Sequence, residues 1–327
     1  MRRRDFISIV GGAATAWPLA ARSQHQRPIP VIGYLSTESP SNIVPLAAFR
    51  QGLKETSFVE GENVTFEHRW ALGQYDQLPI LAADLVRRQV AVIAAIGGTP
   101  PALAAKAATA AIPIVFFVGV DPVQFGLVAS LNRPGSNMTG VAALQSVLAV
   151  KRLELLREFL PKAHAIALLI NPANPYTESE TKGVQEGARH LGLQLHVVRA
   201  SSPSDLDAAF ASMAEFRDDA LVVSPDQFLT SQAEQIVALA HRHAVPAIYG
   251  WPQYAVAGGL MSYAPNQADG YRLTGVYAGR ILRGEKPADL PVQQVVKIEL
   301  VINLKTAKAL GLTFPITLLG RADAVIE

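Results

Sequence analysis

Short, nearly unbroken apolar runs recur along this chain, separated by helical patterns, and that alternation restricts its fold more than any other feature. β-Rich runs fall at Val31–Leu35, Val64–His68, Val90–Ile96, Ile114–Val118 and Thr139–Ala142, with helical stretches around Leu46–Thr56, Gln77–Arg88, Pro101–Thr109 and Phe125–Leu131. The pattern then restarts. Strands are expected near Ala165–Ile170, Leu193–Val198, Ala220–Val223, Ala247–Tyr249 and Gly259–Tyr263, and helices near Ser179–Leu191, Ser204–Phe216 and Ser231–His243. Continuous apolar runs suit strands covered on both faces. Strands alternating with helices build parallel α/β sheets.

The two halves follow one order. "VIGYLSTESP" (31–40) parallels "ALLINPANP" (167–175), "VIAAIGGTPPALA" (92–104) parallels "LVVSPDQFLTSQA" (221–233), and "IPIVFFVGVDPVQFG" (112–126) parallels "VPAIYGWPQYAVAGG" (245–259). The period far exceeds the roughly 20–50 residues of a solenoid repeat, so two lobes of one design are expected. In open parallel sheets, ligands meet the loops at the carboxyl ends of strands. Two such sheets facing each other would put six polar turns around one cleft: Ser36–Ser39, Gly97–Thr99, Gly119–Pro122, Asn171–Asn174, Ser224–Gln227 and Gly250–Trp251. Glycine permits close backbone approach, and helix N-termini offer free N–H groups.

Composition removes several chemistries. No cysteine is present, which excludes disulfides, thiolate metal sites, a cysteine nucleophile and a lipid-modified N-terminal cysteine. A formal net charge of +2 without a long basic run gives nucleic-acid binding little support. His241 and His243, two apart on an expected helix, point away from each other and read as a solvated pair rather than a metal site. The glycine turn after Ile96 invites a nucleotide reading. It lacks both G-x-x-x-x-G-K-[ST] and G-x-G-x-x-G, and Pro100 and Pro101 remove N–H donors from any phosphate cradle. G-x-S-x-G is absent as well. No cofactor and no enzymatic activity are expected.

The opening "MRRRDFISIVGGAATAWPLAARSQ" has the basic, apolar and small-residue zones of a secretory signal. Arg3 and Arg4, followed by Phe6 and Ile7, resemble the twin-arginine export motif, and Ala21-Arg22-Ser23 fits a cleavage site. The apolar run is broken by Gly11, Gly12 and Pro18 and falls short of the ~20 residues of a membrane span. Removal of residues 1–23 takes away four arginines and one aspartate and leaves the chain near neutral, starting at about Gln24.

With these stretches in view, the chain resembles the periplasmic substrate-binding proteins of ABC transporters, in the tryptophan/tyrosine-type group. The likeness is carried by "AAIGGTPPALAAKAATAAIPIVFFVGVDPVQFGLVASLNRPGSNMTGV", "LLINPANP", "LVVSPDQFL", "VPAIYGWPQYAVAGGLMSYAPNQADGYRLTGVYAGRILRGEKPADLPV" and "ELVINLKTAKALGL", nearly the whole chain after the signal. The resemblance implies a type I periplasmic binding protein-like fold, with each lobe a parallel sheet flanked by helices and a ligand cleft between lobes. The expected boundaries are 1–23 for the signal, 28–141 plus 264–327 for the first lobe and 142–263 for the second, with the lobe of the C-terminal tail left open. It further implies a periplasmic protein, a small-molecule solute such as an amino acid, an inner-membrane ABC permease as partner and a monomeric state. A ligand-sensing protein for a membrane receptor and an exported enzyme are the alternatives.

Gly98, Thr99, Asp121, Asn171, Asn174, Ser224 and Asp226 correspond to turns that face the cleft in the family, and Ser36, Thr37, Tyr176, Tyr249 and Trp251 join them as candidate ligand residues. Asp121 and Asp226 are the candidates for an ammonium group, and Tyr249 and Trp251 for stacking on a flat or apolar part. Each has a second reading: Thr99 and Asp226 as helix caps, Asp121 as a turn residue, Tyr249 and Trp251 as core aromatics, Tyr176 as an exposed loop tyrosine. The expected mechanism is hinge closure about crossovers near Gly140–Leu144 and Leu260–Pro265.

Overall fold

The computed structural model describes residues 28–143 and 145–327. The signal-like segment, and the cleavage expected within it, lie outside the described residues. The chain first runs through β1 (Val31–Ser36), α1 (Ile43–Glu55), β2 (Thr65–Trp70), α2 (Leu78–Arg87), β3 (Val92–Ile96), α3 (Thr99–Ala108), β4 (Ile114–Val118) and β5 (Met138–Ala142). It continues through α4 (Gln145–Phe159), β6 (Ala165–Ile170), α5 (Thr177–His190), β7 (Gln194–Arg199), α6 (Pro203–Phe216), β8 (Ala220–Val223), α7 (Gln227–Ser231), α8 (Ala233–Arg242), β9 (Ala247–Tyr249), α9 (Pro252–Val256) and β10 (Met261–Pro265). The remainder forms α10 (Gln267–Leu282), β11 (Gln293–Gln294), β12 (Ile298–Asn303), α11 (Leu304–Ala309), α12 (Ile316–Leu319) and β13 (Ala324–Ile326).

Two sheets result. One has the order β11-β5-β4-β3-β1-β2 and the other β13-β12-β10-β9-β8-β6-β7. Every pair in the first sheet is parallel, and in the second only β10–β12 is antiparallel. Within each half the strand order is the same, with the first strand of the half between its second and third. The duplicated order of the sequence is therefore a duplicated topology, of the two-lobed type I periplasmic binding kind. Side chains leave each strand alternately toward two cores. Ile93 and Ala95 enter one core of the first sheet, while Val92, Ala94 and Ile96 enter the other. In the second sheet Ile166, Leu168 and Ile170 divide from Ala167 and Leu169 in the same way. Helices on both faces explain why the strands read as unbroken apolar runs.

The expected division of the chain needs correction after residue 264. Helix α10 returns to the first lobe and packs on α1 and on β3, β4 and β5. The approach to α1 is so close that a Cβ on Gly275 would lie 2.0 Å from the Phe49 carbonyl oxygen. Strand β11 then pairs with β5 in the first sheet, but β12 pairs with β10 and β13 with β12 in the second. Residues 298–326 thus complete the second lobe rather than the first. The described chain passes between lobes around 143–145, 265–267 and 294–298.

The helix expected at Phe125–Leu131 is absent. The Asp121 carboxylate accepts the N–H groups of Val123 (2.8 Å) and Gln124 (3.3 Å), a cap-like turn that is not continued into a helix. Leu127 and Val128 both donate to the Pro122 carbonyl, so the stretch closes as a turn. Among the described residues no helix is long and apolar enough to cross a membrane.

Candidate functional site

In each lobe the strand order reverses beside its first strand, at β1/β3 and at β6/β8, and this is where loops part and leave a crevice. The two crevices face one another. Between them lies a cavity lined from both lobes. Gly97, Gly98 and Thr99 after β3, Phe117–Gly119 at the end of β4, Ala143 and Gln145 at the first crossing, and Gln267 and Tyr271 of α10 line it from one side and from the hinge. Asn174, Tyr176, Pro225, Gln227 and Trp251 of the second lobe complete the wall.

The Gly97–Gly98 turn is held from behind. The Thr37 hydroxyl donates to the Gly97 carbonyl (2.6 Å), and a Cβ on Gly97 would meet that hydroxyl oxygen at 2.3 Å. Gly97 and Gly98 take φ values of +86° and +109°, which side chains rarely adopt. Helix α3 begins directly after them, with Gly98 as N-cap and no side-chain cap, and because Pro100 and Pro101 have no N–H, Thr99 alone carries a backbone donor among its first three residues.

Four aromatic rings line the cavity: Phe117, Tyr176, Trp251 and Tyr271. Phe117 and Tyr271 meet edge to face at 4.9 Å. Among the described residues, no Asp, Glu, Lys, Arg or His lies on the wall. Charge instead sits one residue behind it. Glu38, buried, accepts the Tyr271 hydroxyl (2.8 Å) and the Asn42 amide (3.2 Å), and burial pushes its carboxyl up to about 7. Asp226 accepts the amide nitrogens of Asn171 (3.1 Å) and Asn174 (2.8 Å), the Leu229 N–H (3.0 Å) and the Tyr75 hydroxyl (2.7 Å). Glu180 accepts the Ser224 hydroxyl and faces Arg152 at 3.9 Å, and burial raises it to about 7. Among the described residues there is no group of three or more His, Cys, Asp and Glu placed to hold a metal ion.

Of the residues singled out from sequence, Gly98, Thr99, Asn174, Tyr176 and Trp251 line the cavity. Seven others do not, each for a local reason. The Ser36 hydroxyl accepts the Glu38 N–H, and Thr37 braces the glycine turn. Asp121 shapes its own turn. The Asn171 amide reaches Asp226, and the Ser224 hydroxyl donates to Glu180. Asp226 caps α7 at the centre of four donors. Tyr249 stacks on Tyr254 at 4.5 Å inside the second lobe. Tyr176, far from being an exposed loop tyrosine, is 4% exposed.

Gly119, Pro225 and Gln227 line the cavity from turns expected to face it, while Phe117, Gln145, Gln267 and Tyr271 line it from outside those turns. Gln267 and Tyr271 stand four apart on α10, on one helix face, a signal that becomes readable once that helix is recognised. Gln145 carries no motif, and only the crossing of the chain brings it to the cleft.

The comparisons with known proteins agree with this architecture. Residues 29–326 match the family described as ABC transporter substrate binding protein. A curated relative, the tyrosine-binding protein of Clostridioides difficile (strain R20291), is 28% identical over 276 residues, covering 84% of this chain and 79% of its own. The solved ABC domain from Streptococcus pneumonia in complex with L-Trp is 26% identical, with a TM-score of 0.83 over 91% of this chain and 99% of that one. A ligand-free, open structure of a substrate binding protein with adhesive properties from Clostridium difficile is 27% identical over the same shares, with a TM-score of 0.66. Identity and coverage are nearly equal for these two structures. The score is higher against the L-Trp complex than against the ligand-free, open structure.

Proposed function

The chain belongs to the ABC transporter substrate-binding protein family, and on that premise we propose that it captures an aromatic amino acid, or a close relative of one, by closing its lobes. The observation that carries the reading is a cavity between lobes walled by four aromatic rings and neutral hydrogen-bonding groups, with no charged side chain on the wall among the described residues. Flat rings suit a flat apolar body, and a few convergent polar groups fix its orientation. The relatives named for tyrosine and solved with L-Trp support the same solute class.

Under this reading an ammonium group is held by neutral acceptors on the wall, with the Asp226 carboxylate behind them, rather than by direct contact with Asp121. Thr99 offers donors from the first lobe, and Asn174, Gln227 and Trp251 meet the solute from the second. Closure exchanges water in the cleft for contacts to both lobes, so solute favours the closed state, the form in which a monomeric chain delivers it to an inner-membrane permease. Residues 1–23 serve as a cleaved twin-arginine-type signal that places the chain in the periplasm.

Calorimetric titration of the chain lacking residues 1–23 with L-tryptophan, L-tyrosine and L-phenylalanine tests the solute class, alongside mass spectrometry of whatever solute accompanies the purified protein. Saturable binding of at least one is expected. Failure of all three to bind, with a non-aromatic solute found by mass spectrometry, overturns it.

A further inference from the structure

Gln145 opens α4 just after the chain has left the first lobe. Its N–H donates to the Gly119 carbonyl (2.6 Å), which ties the start of the helix to the cavity-lining turn after β4. Its side-chain oxygen accepts a hydrogen bond from the Arg152 guanidinium, two turns further along the same helix. Arg152 is wholly buried and fixed on other sides as well: its Nε donates to the Tyr263 carbonyl (2.9 Å), and Nη1 faces Glu180 at 3.9 Å.

A guanidinium can only donate. The Gln145 amide must therefore turn its oxygen toward Arg152, which leaves its nitrogen facing away from Arg152, on a residue that forms part of the cavity wall. That nitrogen is buried and has no acceptor within the protein, although Gln145 is only 1% exposed. The Tyr176 hydroxyl, on the same cavity wall, is likewise buried and without a partner. Two sequestered donors without acceptors are unfavourable unless something in the cavity accepts from them.

We propose that Gln145 is a specificity-determining residue whose amide nitrogen, aimed by Arg152 as a positioning residue, donates to an acceptor oxygen of the solute, namely the carboxylate of an amino acid. This assignment rests on the solute class proposed above. The positive guanidinium behind the amide polarises it, and a hydrogen bond to a carboxylate gains from charge where one to a neutral carbonyl gains less. The Tyr176 hydroxyl is the second donor for the same group.

Titration of the chain lacking residues 1–23 with L-tryptophan, L-tryptophanamide and tryptamine separates the carboxylate from the rest of the ligand. Wild type is expected to prefer the acid to the amide. Gln145→Met should lower L-tryptophan affinity by about tenfold or more, with tryptamine affinity nearly unchanged. Gln145→Glu keeps the bond to Arg152 but presents an oxygen to the cavity, so the acid-to-amide preference should invert. For Arg152, the double variant Arg152→Met with Glu180→Gln avoids leaving a buried charge alone, and a melting curve verifies folding. In that background L-tryptophan affinity should fall, and adding Gln145→Met should cost less than it does in wild type. Wild-type binding of L-tryptophan with the same acid-to-amide ratio in both Gln145 variants overturns the assignment of Gln145 while leaving the solute class standing. If wild type binds none of L-tryptophan, L-tyrosine and L-phenylalanine and carries a non-aromatic solute, the solute class falls, and this assignment with it.

Discussion

The Tyr75 hydroxyl lies 2.7 Å from a carboxylate oxygen of Asp226, and the two residues belong to different lobes. Tyr75 sits in the short turn after β2, and Asp226 caps α7. Burial and the neighbouring carboxylate both push the tyrosine hydroxyl far above its ordinary range, so it stays protonated and donating. Rotation of one lobe away from the other would separate the pair, which makes it a contact of the closed arrangement. Tyr75→Phe should leave the melting temperature of the solute-free chain nearly unchanged and weaken solute binding by about 1–2 kcal/mol, mostly through faster release. Calorimetry with stopped-flow dissociation measures both, and an unchanged release rate would count against the role.

Asp226→Asn should behave differently. In the second lobe the carboxylate already accepts from Asn171, Asn174 and Leu229, and an amide would turn a donor toward at least one of those donors. A stability loss of about 1–3 kcal/mol is expected even without solute, visible in thermal or urea melts. A simple helix cap would tolerate the change, since Asn caps as well as Asp.

Stability should fall between pH 5 and pH 8. Glu38 and Glu180 are raised to about 7 in the folded chain from an ordinary 4.5. Between those values the folded state holds protons that the unfolded chain has released. Their contribution is fully present below pH 4.5, declines as pH rises and is gone above 7. Each acid is worth on the order of 2–3 kcal/mol across this span. His68, lowered by burial, opposes the trend over the upper part of the histidine range. Melting curves across this window should show the higher Tm at pH 5, and Glu38→Gln should flatten the profile.

Gly275→Ala tests the seam between α1 and α10. Helix propensity alone favours alanine by about 1 kcal/mol. The obstructing atom, however, is the Phe49 backbone oxygen 2.0 Å from the new Cβ, and a backbone cannot swing aside as a side chain does. A net loss of at least about 2 kcal/mol is expected, measured as a lower urea midpoint with an unchanged slope. A gain in stability would show that the helices separate freely.

The strands were legible because burial on both faces leaves a direct trace in composition: Ile114–Val118, Ala165–Ile170, Ala220–Val223 and Ala247–Tyr249 match the observed strands residue for residue. The tail was not, because the partner of Ile298–Asn303 is set by a pairing with β10 that no local pattern encodes. Helix α10 was missed for a related reason. Its buried face includes Gly270, Thr274, Gly275 and Gly279, small or polar residues chosen for close approach rather than hydrophobicity. At the site, turns at strand ends pointed to the right region, since topology places them there. Which residue of each turn faces inward depended on partners far away in sequence: Asp226 turns toward Tyr75, 151 residues distant, and Ser224 toward Glu180. Gln145, a lone polar residue without a motif, acquires its orientation only from Arg152.

The three passages of chain between lobes also bear on the order of assembly. During synthesis from the N-terminus, the first sheet can pair β1 to β5 early, yet one of its faces, covered in part by α1, stays incomplete until α10 has emerged, after the whole of β6–β10. The second sheet in turn waits for residues beyond 298 before β10 gains its outer neighbour. Neither half is a self-sufficient folding unit that can finish while the other is still being made. Nascent chains of this protein therefore expose apolar sheet surface for most of their elongation, and holding such surface apart until the last segments arrive is the task that chaperones perform.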